Sequence, residues 1–308
     1  MNNKEQLFEK ARGFIYRSAR PVELARWRYH FENGSKEDVL TALAAYQNED
    51  GGFGHALEAD SFNPNSCPIQ TWNAAEILKE IDFKDGSHPI IKGILRYLDS
   101  GADFSPKHNQ WLNSVKSNDE YPHAIWWSYS DEDRDFCYNP TAHLAGFILR
   151  FADRGSALYK KGEKIALEAY DWFKAHAPNI DNHDTKCFIG LYRYLLEAGL
   201  ELVDMKGFGD KLIETVNFTI CRDIEKWKTD YVCKPSAFIQ TKDSIFYKGN
   251  EELVEKECEL IAEGQLEDGS FIVPWTWCNE YGEFPLAENW WKSVIVVNNL
   301  RFLKRFAD

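Results

Sequence analysis

Apolar residues recur three and four apart along most of this chain, and strict alternation is scarce. Leu7, Ala11, Phe14 and Ile15 would line one face of a first helix. Pro21 stands where a first helical residue tolerates proline, ahead of Val22-Glu23-Leu24-Ala25-Arg26-Trp27. Ser35-Lys36-Glu37-Asp38 has the form of a capping box opening a helix that runs to Tyr46. Further helical stretches fall at 88–98, 158–176, 211–224 and 251–263. Proline or Asn/Asp-capped starts stand at Pro21, Pro68, Pro140, Asp184, Pro235 and Pro285. They are spaced by about fifty residues, save one longer interval holding an irregular insert over 101–135. The pattern predicts an all-α chain of about twelve helices in six hairpins.

A repeat sharpens this. Gln47-Asn48-Glu49-Asp50-Gly51-Gly52-Phe53 returns near the other end as Gln265-Leu266-Glu267-Asp268-Gly269-Ser270-Phe271. Each copy closes a helical stretch and opens a turn, and a Trp-bearing helix follows at the same distance, at Trp72 and at Trp290. The physical reason for the motif is local: Gln bonds exposed carbonyls, Asp bonds its own following backbone, and glycine supplies positive φ. The two best copies lie far apart in sequence, and in a closed ring of hairpins they become neighbours. The expected architecture is therefore one domain, residues 1–308, folded as an (α/α)6 toroid around a central cavity, with inner helices beginning at the proline-marked starts.

The same residues carry a resemblance. Gln47 with Asp50-Gly51-Gly52-Phe53 resembles the Q-x-x-D-G-[GS]-[FW] repeat of squalene and other triterpene cyclases and of protein prenyltransferase β subunits. Ser66-Cys67-Pro68-Ile69-Gln70-Thr71-Trp72 resembles the S-x-Q-T-A-W start of a cyclase helix, and Glu58-Ala59-Asp60 the E-x-D that trails the turn in prenyltransferases. The likeness is concentrated in 40–81 and 259–306. It implies the six-hairpin toroid and a small, stand-alone relative of that superfamily, acting on an isoprenoid or similar apolar substrate.

Composition narrows the partners. The 308 residues are 44% hydrophobic and carry a net charge of −13, which disfavours a nucleic-acid partner because phosphate binding needs a basic surface. No apolar run is long enough to span a bilayer. Seven scattered cysteines, without a C-x-x-C pair and after a start that lacks an apolar signal region, point to reduced thiols and a cytoplasmic location. The expected partner is a small molecule in the central cavity. Neither a cofactor nor a metal is expected, since no His/Cys/Asp set has ligand spacing.

Several clusters have chemistry. Class II terpene cyclases protonate an alkene with D-x-D-D, and the nearest counterpart is Asp131-Glu132-Asp133-Arg134-Asp135, where Arg134 replaces the third Asp. Asp131 and Asp133 are the acid candidates on that reading, since clustered carboxylates raise one another's pKa. Arg134-Asp135-Phe136 resembles a segment near the prenyltransferase zinc histidine, but Tyr138 stands at the histidine position. Eleven tryptophans include Trp72, Trp126, Trp127, Trp290 and Trp291, whose faces steady cations or stack on sugar rings. His55, His143 and Glu288 join them as substrate-binding candidates. Glu58, Asp60 and Glu288 are the acid/base candidates for the alternative, a carbohydrate-active hydrolase or lyase; a third possibility is a ligand-binding toroid without catalysis. Asn182-His183-Asp184-Thr185 is read as a helix cap.

Overall fold

The computed structural model describes residues 3–130 and 137–307. The described chain is helical, with twelve α-helices, three short 3-10 turns and one two-stranded hairpin. None of its helices is long and apolar enough to cross a membrane. It divides into two compact units, one of residues 44–219 and one of residues up to 43 and from 220 on.

The 44–219 unit holds α4 (Pro68–Glu80), α5 (Pro89–Ser100), α6 (Thr141–Phe151), α7 (Ala157–His176), α8 (Asn182–Glu197) and α9 (Met205–Thr219). Within it α6 packs on α7 and on α8, α8 packs on α9, and α4 and α5 each touch α6. Contacts between α6 and α8 climb both chains together: Asn139 bonds Cys187, His143 lies on Gly190, Gly146 on Leu191, and Phe151 on Tyr194. The two helices are therefore parallel. Contacts of α4 climb α6 likewise, from Glu76 on His143 to Leu78 and Phe83, which line one crevice with Phe147 and Phe151. So α4, α6 and α8 begin at one end of the unit. The 101–135 insert contributes β1 (Phe104–Ser105) and β2 (Gln110–Trp111), an antiparallel pair whose Phe104 ring lies 3.5 Å from the Lys161 ammonium of α7.

The other unit holds α1 (Asn3–Ser18), α2 (Pro21–Phe31), most of α3 (Lys36–Ala44), α10 (Lys226–Thr229), α11 (Glu251–Glu263) and α12 (Phe284–Phe306). The last helix packs on α1, α2 and α11 through buried Val296, Val297, Leu300 and Leu303. Leu7, Ala11, Phe14 and Ile15 form the buried face of α1 as their spacing predicts. At α3 the capping box is reciprocal: Asp38 N donates to Ser35 Oγ at 3.0 Å and Ser35 N to Asp38 Oδ2 at 3.2 Å.

Both repeat turns dock in one way, each inside its own unit. Gln47 Nε2 donates to Gly51 O (2.9 Å) and to Ile90 O of α5 (3.1 Å). Gln265 Nε2 donates to Gly269 O (3.2 Å) and to Leu7 O of α1 (2.9 Å). Asp50 Oδ1 accepts from Gly52 N and Ser66 Oγ, and Asp268 Oδ1 from Ser270 N and Oγ. In each unit the glutamine ties its own turn to the backbone of a helix, α5 or α1. Gln47→Ala and Gln265→Ala are each expected to cost about 1–3 kcal/mol, because each leaves carbonyls unpaired in a part-buried site. Urea unfolding of both variants checks this, and one silent substitution beside a costly one would deny the equivalence.

Not every predicted start is a helix start. Pro21, Pro68 and Pro285 do sit in the first turns of α2, α4 and α12. Pro235 opens only a 3-10 turn, Pro235–Ala237, because the chain turns away at Phe238. The predicted cap at His183-Asp184 is displaced: Asp181 caps α8, accepting from His183 N and Asp184 N, and Asp184 falls in the first turn. The predicted 211–224 helix lies earlier, as α9.

Candidate functional site

The segment before α4 is a loop, yet most of residues 51–63 are buried. Buried backbone without a ladder needs other partners, and Asn63 supplies many of them. Its Oδ1 accepts from Asn65 N at 2.9 Å, its Nδ2 donates to Ser117 Oγ (2.8 Å) and Asn118 Oδ1 (2.9 Å), and its carbonyl accepts from Gln70 Nε2 (3.0 Å) and His55 N (3.0 Å). The Asp60 carbonyl accepts from Ala124 N at 2.8 Å, joining this loop to 121–128. His55 and Ala56 are both held at φ +59, a conformation that side chains rarely adopt and that concentrates at functional sites.

Glu58 and Asp60 of this loop are both buried. Glu58 Oε2 accepts from Asn73 Nδ2 of α4 at 2.8 Å. Deeper along the same helix, Glu76 lies 3.3 Å from His143 Nδ1 of α6 and 2.7 Å from Lys79 Nζ. Burial pulls His143 down to about 3, so the ring is neutral. Burial raises Glu76, but Lys79 and the other cations around it outweigh that and hold it low. The ring edge of Trp72 meets His143 at 6.2 Å.

Asp184 in the first turn of α8 is 3% exposed. Its carboxyl faces the backbone amides of Tyr138 and Asn139 and the Cys137 thiol. Burial and the neighbouring Asp181 carboxylate push it up to about 7, against the pull of those donors. Its Oδ1 has no protein partner, and neither do the buried Ser61 Oγ and Gln70 Oε1 of the 51–70 segment. A carboxyl that holds its proton near neutrality, with an oxygen left over, is equipped for general-acid work.

The predicted residues separate into groups. Glu58, Asp60, Trp72 and His143 belong to this end of the 44–219 unit. His55 stands at its edge, exposed, with Nε2 2.8 Å from Asn48 Oδ1. Trp126 is exposed, and the Trp127 carbonyl accepts from Asn118 Nδ2. Glu288, Trp290 and Trp291 lie in the other unit: Glu288 pairs with Lys292 at 2.8 Å, Arg20 stacks 5.2 Å over Trp290, and Trp291 meets Trp275 edge-on at 5.2 Å. Asp131 and Asp133 lie outside the described residues. Among the described residues no three His, Cys, Asp or Glu side chains converge as metal ligands.

Two hollows open elsewhere in the 44–219 unit, one by Leu78, Phe147 and Tyr194 and one along Leu195–Lys206. Neither contains a predicted residue, so the polar cluster at the helix starts is the stronger candidate. Sequence reasoning missed Asp184 as an acid, although Asp184, Cys187, Phe188 and Leu191 share one helix face. A carboxyl on an otherwise apolar face was the available signal. No protein-family model matches this chain, and no curated protein or solved structure matches it either.

Proposed function

We propose that this chain is an acid–base enzyme for a hydroxylated polar substrate of the carbohydrate class, a hydrolase or lyase. Its site is the start of α4, α6 and α8. The observation that carries this is Asp184: buried, near neutral in pKa, with Oδ1 unpartnered. In this reading Asp184 donates a proton to the leaving oxygen, and Glu58 or Asp60 accepts one from the attacking or departing group. Asn63, Gln70 and Asn73 present amides suited to sugar hydroxyls. Trp126, exposed on the 121–128 segment that the Asp60 carbonyl holds to this loop, offers an aromatic face for a ring. We further propose that the hairpins close into the (α/α)6 toroid and that the protein works in the cytoplasm.

A second reading keeps the isoprenoid substrate, with Asp131 or Asp133 as the acid and Trp residues steadying positive charge. What favours it is the matching dock of both repeat turns, at Ile90 and at Leu7, which supports a terpene cyclase-like framework. A screen separates the two. The chain is incubated with an oligosaccharide panel and an isoprenoid diphosphate panel, each with Asp184→Asn in parallel. Turnover of a sugar that Asp184→Asn lowers by about 10²-fold or more supports the first reading. Turnover of an isoprenoid alone, indifferent to Asp184, replaces it with the second.

A further inference from the structure

We propose that Cys221 and Cys233 are a thiol–disulfide pair, joined on oxidation to close the 221–233 segment. The Cys221 N–H donates to the Cys233 carbonyl at 2.9 Å. Backbone bond lengths then keep the two Cα atoms no more than about 6.8 Å apart, within the reach of about 4.4–6.8 Å that a disulfide bridges. Both residues are part-exposed, and neither is bridged in this structure. Cys221 Sγ lies 3.6 Å from Asp223 O and Cys233 Sγ 3.9 Å from Lys234 O.

The chain between them is already folded for closure. It contains α10, whose Trp227 is buried and donates from Nε1 to the Cys221 carbonyl at 2.8 Å. The other cysteines differ. Burial holds the Cys67 and Cys137 thiols up to about 12 and that of Cys258 up to about 11, so they stay protonated and poorly nucleophilic. Cys187 is buried with its thiol raised as well, and Cys278 is exposed.

With glutathione disulfide as oxidant, the chemistry is a two-step exchange. One cysteine thiolate attacks a glutathione sulfur, forming a mixed disulfide and releasing one glutathione thiolate. The second cysteine thiolate attacks the protein sulfur of that bond and expels the second. The two protein thiols give up two electrons and two protons, and glutathione disulfide becomes two glutathione molecules. The product fixes Tyr231, which lies inside the segment and meets Trp275 edge-on at 5.6 Å, and Trp275 in turn meets Trp291. Oxidation thus orders an aromatic surface that contains one of the predicted ligand-binding tryptophans.

The full chain is treated with glutathione disulfide, capped with iodoacetamide and digested by trypsin without reductant. Trypsin cuts after Lys226 and Lys228, so the two cysteines leave on separate peptides unless they are bridged. The expected result is one joined peptide pair, lighter by two hydrogen atoms than the sum of its reduced parts. The melting temperature of the intact protein should rise by about 4–6 °C. Cys221→Ser and Cys233→Ser should each lose both effects, and Cys278→Ser should keep both. Separate glutathione adducts on Cys221 and Cys233 with no joined pair would overturn the proposal. So would a rise in melting temperature that survives in Cys221→Ser.

Discussion

Gly51→Ala and Gly269→Ala are each expected to lower stability by about 2–5 kcal/mol. Two costs add. Both glycines have positive φ, +96 and +93, where a side chain is strained by about 1–2 kcal/mol. A Cβ at Gly51 would also stand 2.1 Å from the Gly93 carbonyl oxygen, and one at Gly269 2.1 Å from that of Lys10. Those neighbours are helix backbone, so relief requires moving α5 or α1, at about 1–3 kcal/mol. Gly101→Ala is the control: φ is +76 there, but no atom lies within 4 Å of the added Cβ. It should show the conformational cost alone. Urea unfolding of the three variants checks the ranking. If Gly51→Ala is no worse than Gly101→Ala, the close dock of turn on helix is not an energetic feature of the fold.

Asp184→Asn is expected to change how stability depends on pH. The Asp184 carboxyl is raised from an ordinary 3.8 to about 7. Between those values the folded chain holds a proton that the unfolded chain has released. Wild-type stability therefore falls as pH rises from about 4 to about 7, and the group has no effect below that window. Asn cannot ionise. The variant should gain on wild type across the same window, by on the order of 4 kcal/mol before any packing loss. Comparison at pH 4.5 and pH 8 is the check, and a difference that does not vary with pH contradicts the assignment. The comparison must be with wild type, because other groups titrate. Glu257 of α11, raised by burial to about 7, slopes the same way as Asp184. His143 slopes the other way: pulled down to about 3, it costs stability as pH falls below its ordinary 6.5.

Many of the helices were legible because their signals are local. The reciprocal cap of Ser35 with Asp38, the prolines at 21 and 68 and the apolar face of α1 need no distant partner to be read. Both repeat turns were legible as turns, since Asp50 and Asp268 bond their own following backbone. What the glutamines reach was not, because Ile90 and Leu7 come near only through tertiary packing of the helices. Pro235 misled for a related reason: proline permits a helix start but cannot make the following residues continue it.

The site was half legible. Glu58 and Asp60 stand next to the repeat turn and were found through it. Asp184 looked like one more capping residue, and its difference from Asp181 is burial, which depends on residues 137–139 folding over it. Glu76 and His143 are far apart in sequence and meet only because α4 and α6 run parallel. Asn63 reads as a turn starter before proline, and its role as a hub appears only with Ser117 and Asn118 in place.

The protonation of Asp184 is the most direct test of the proposed acid–base site. Carbon-13 resonances of aspartate side-chain carboxyls can be followed from pH 3 to pH 9, with Asp184→Asn identifying the signal. A midpoint near 7 is the expected result. A midpoint at about 3.9, the value of an unperturbed aspartate, would contradict it and remove the general acid from the site.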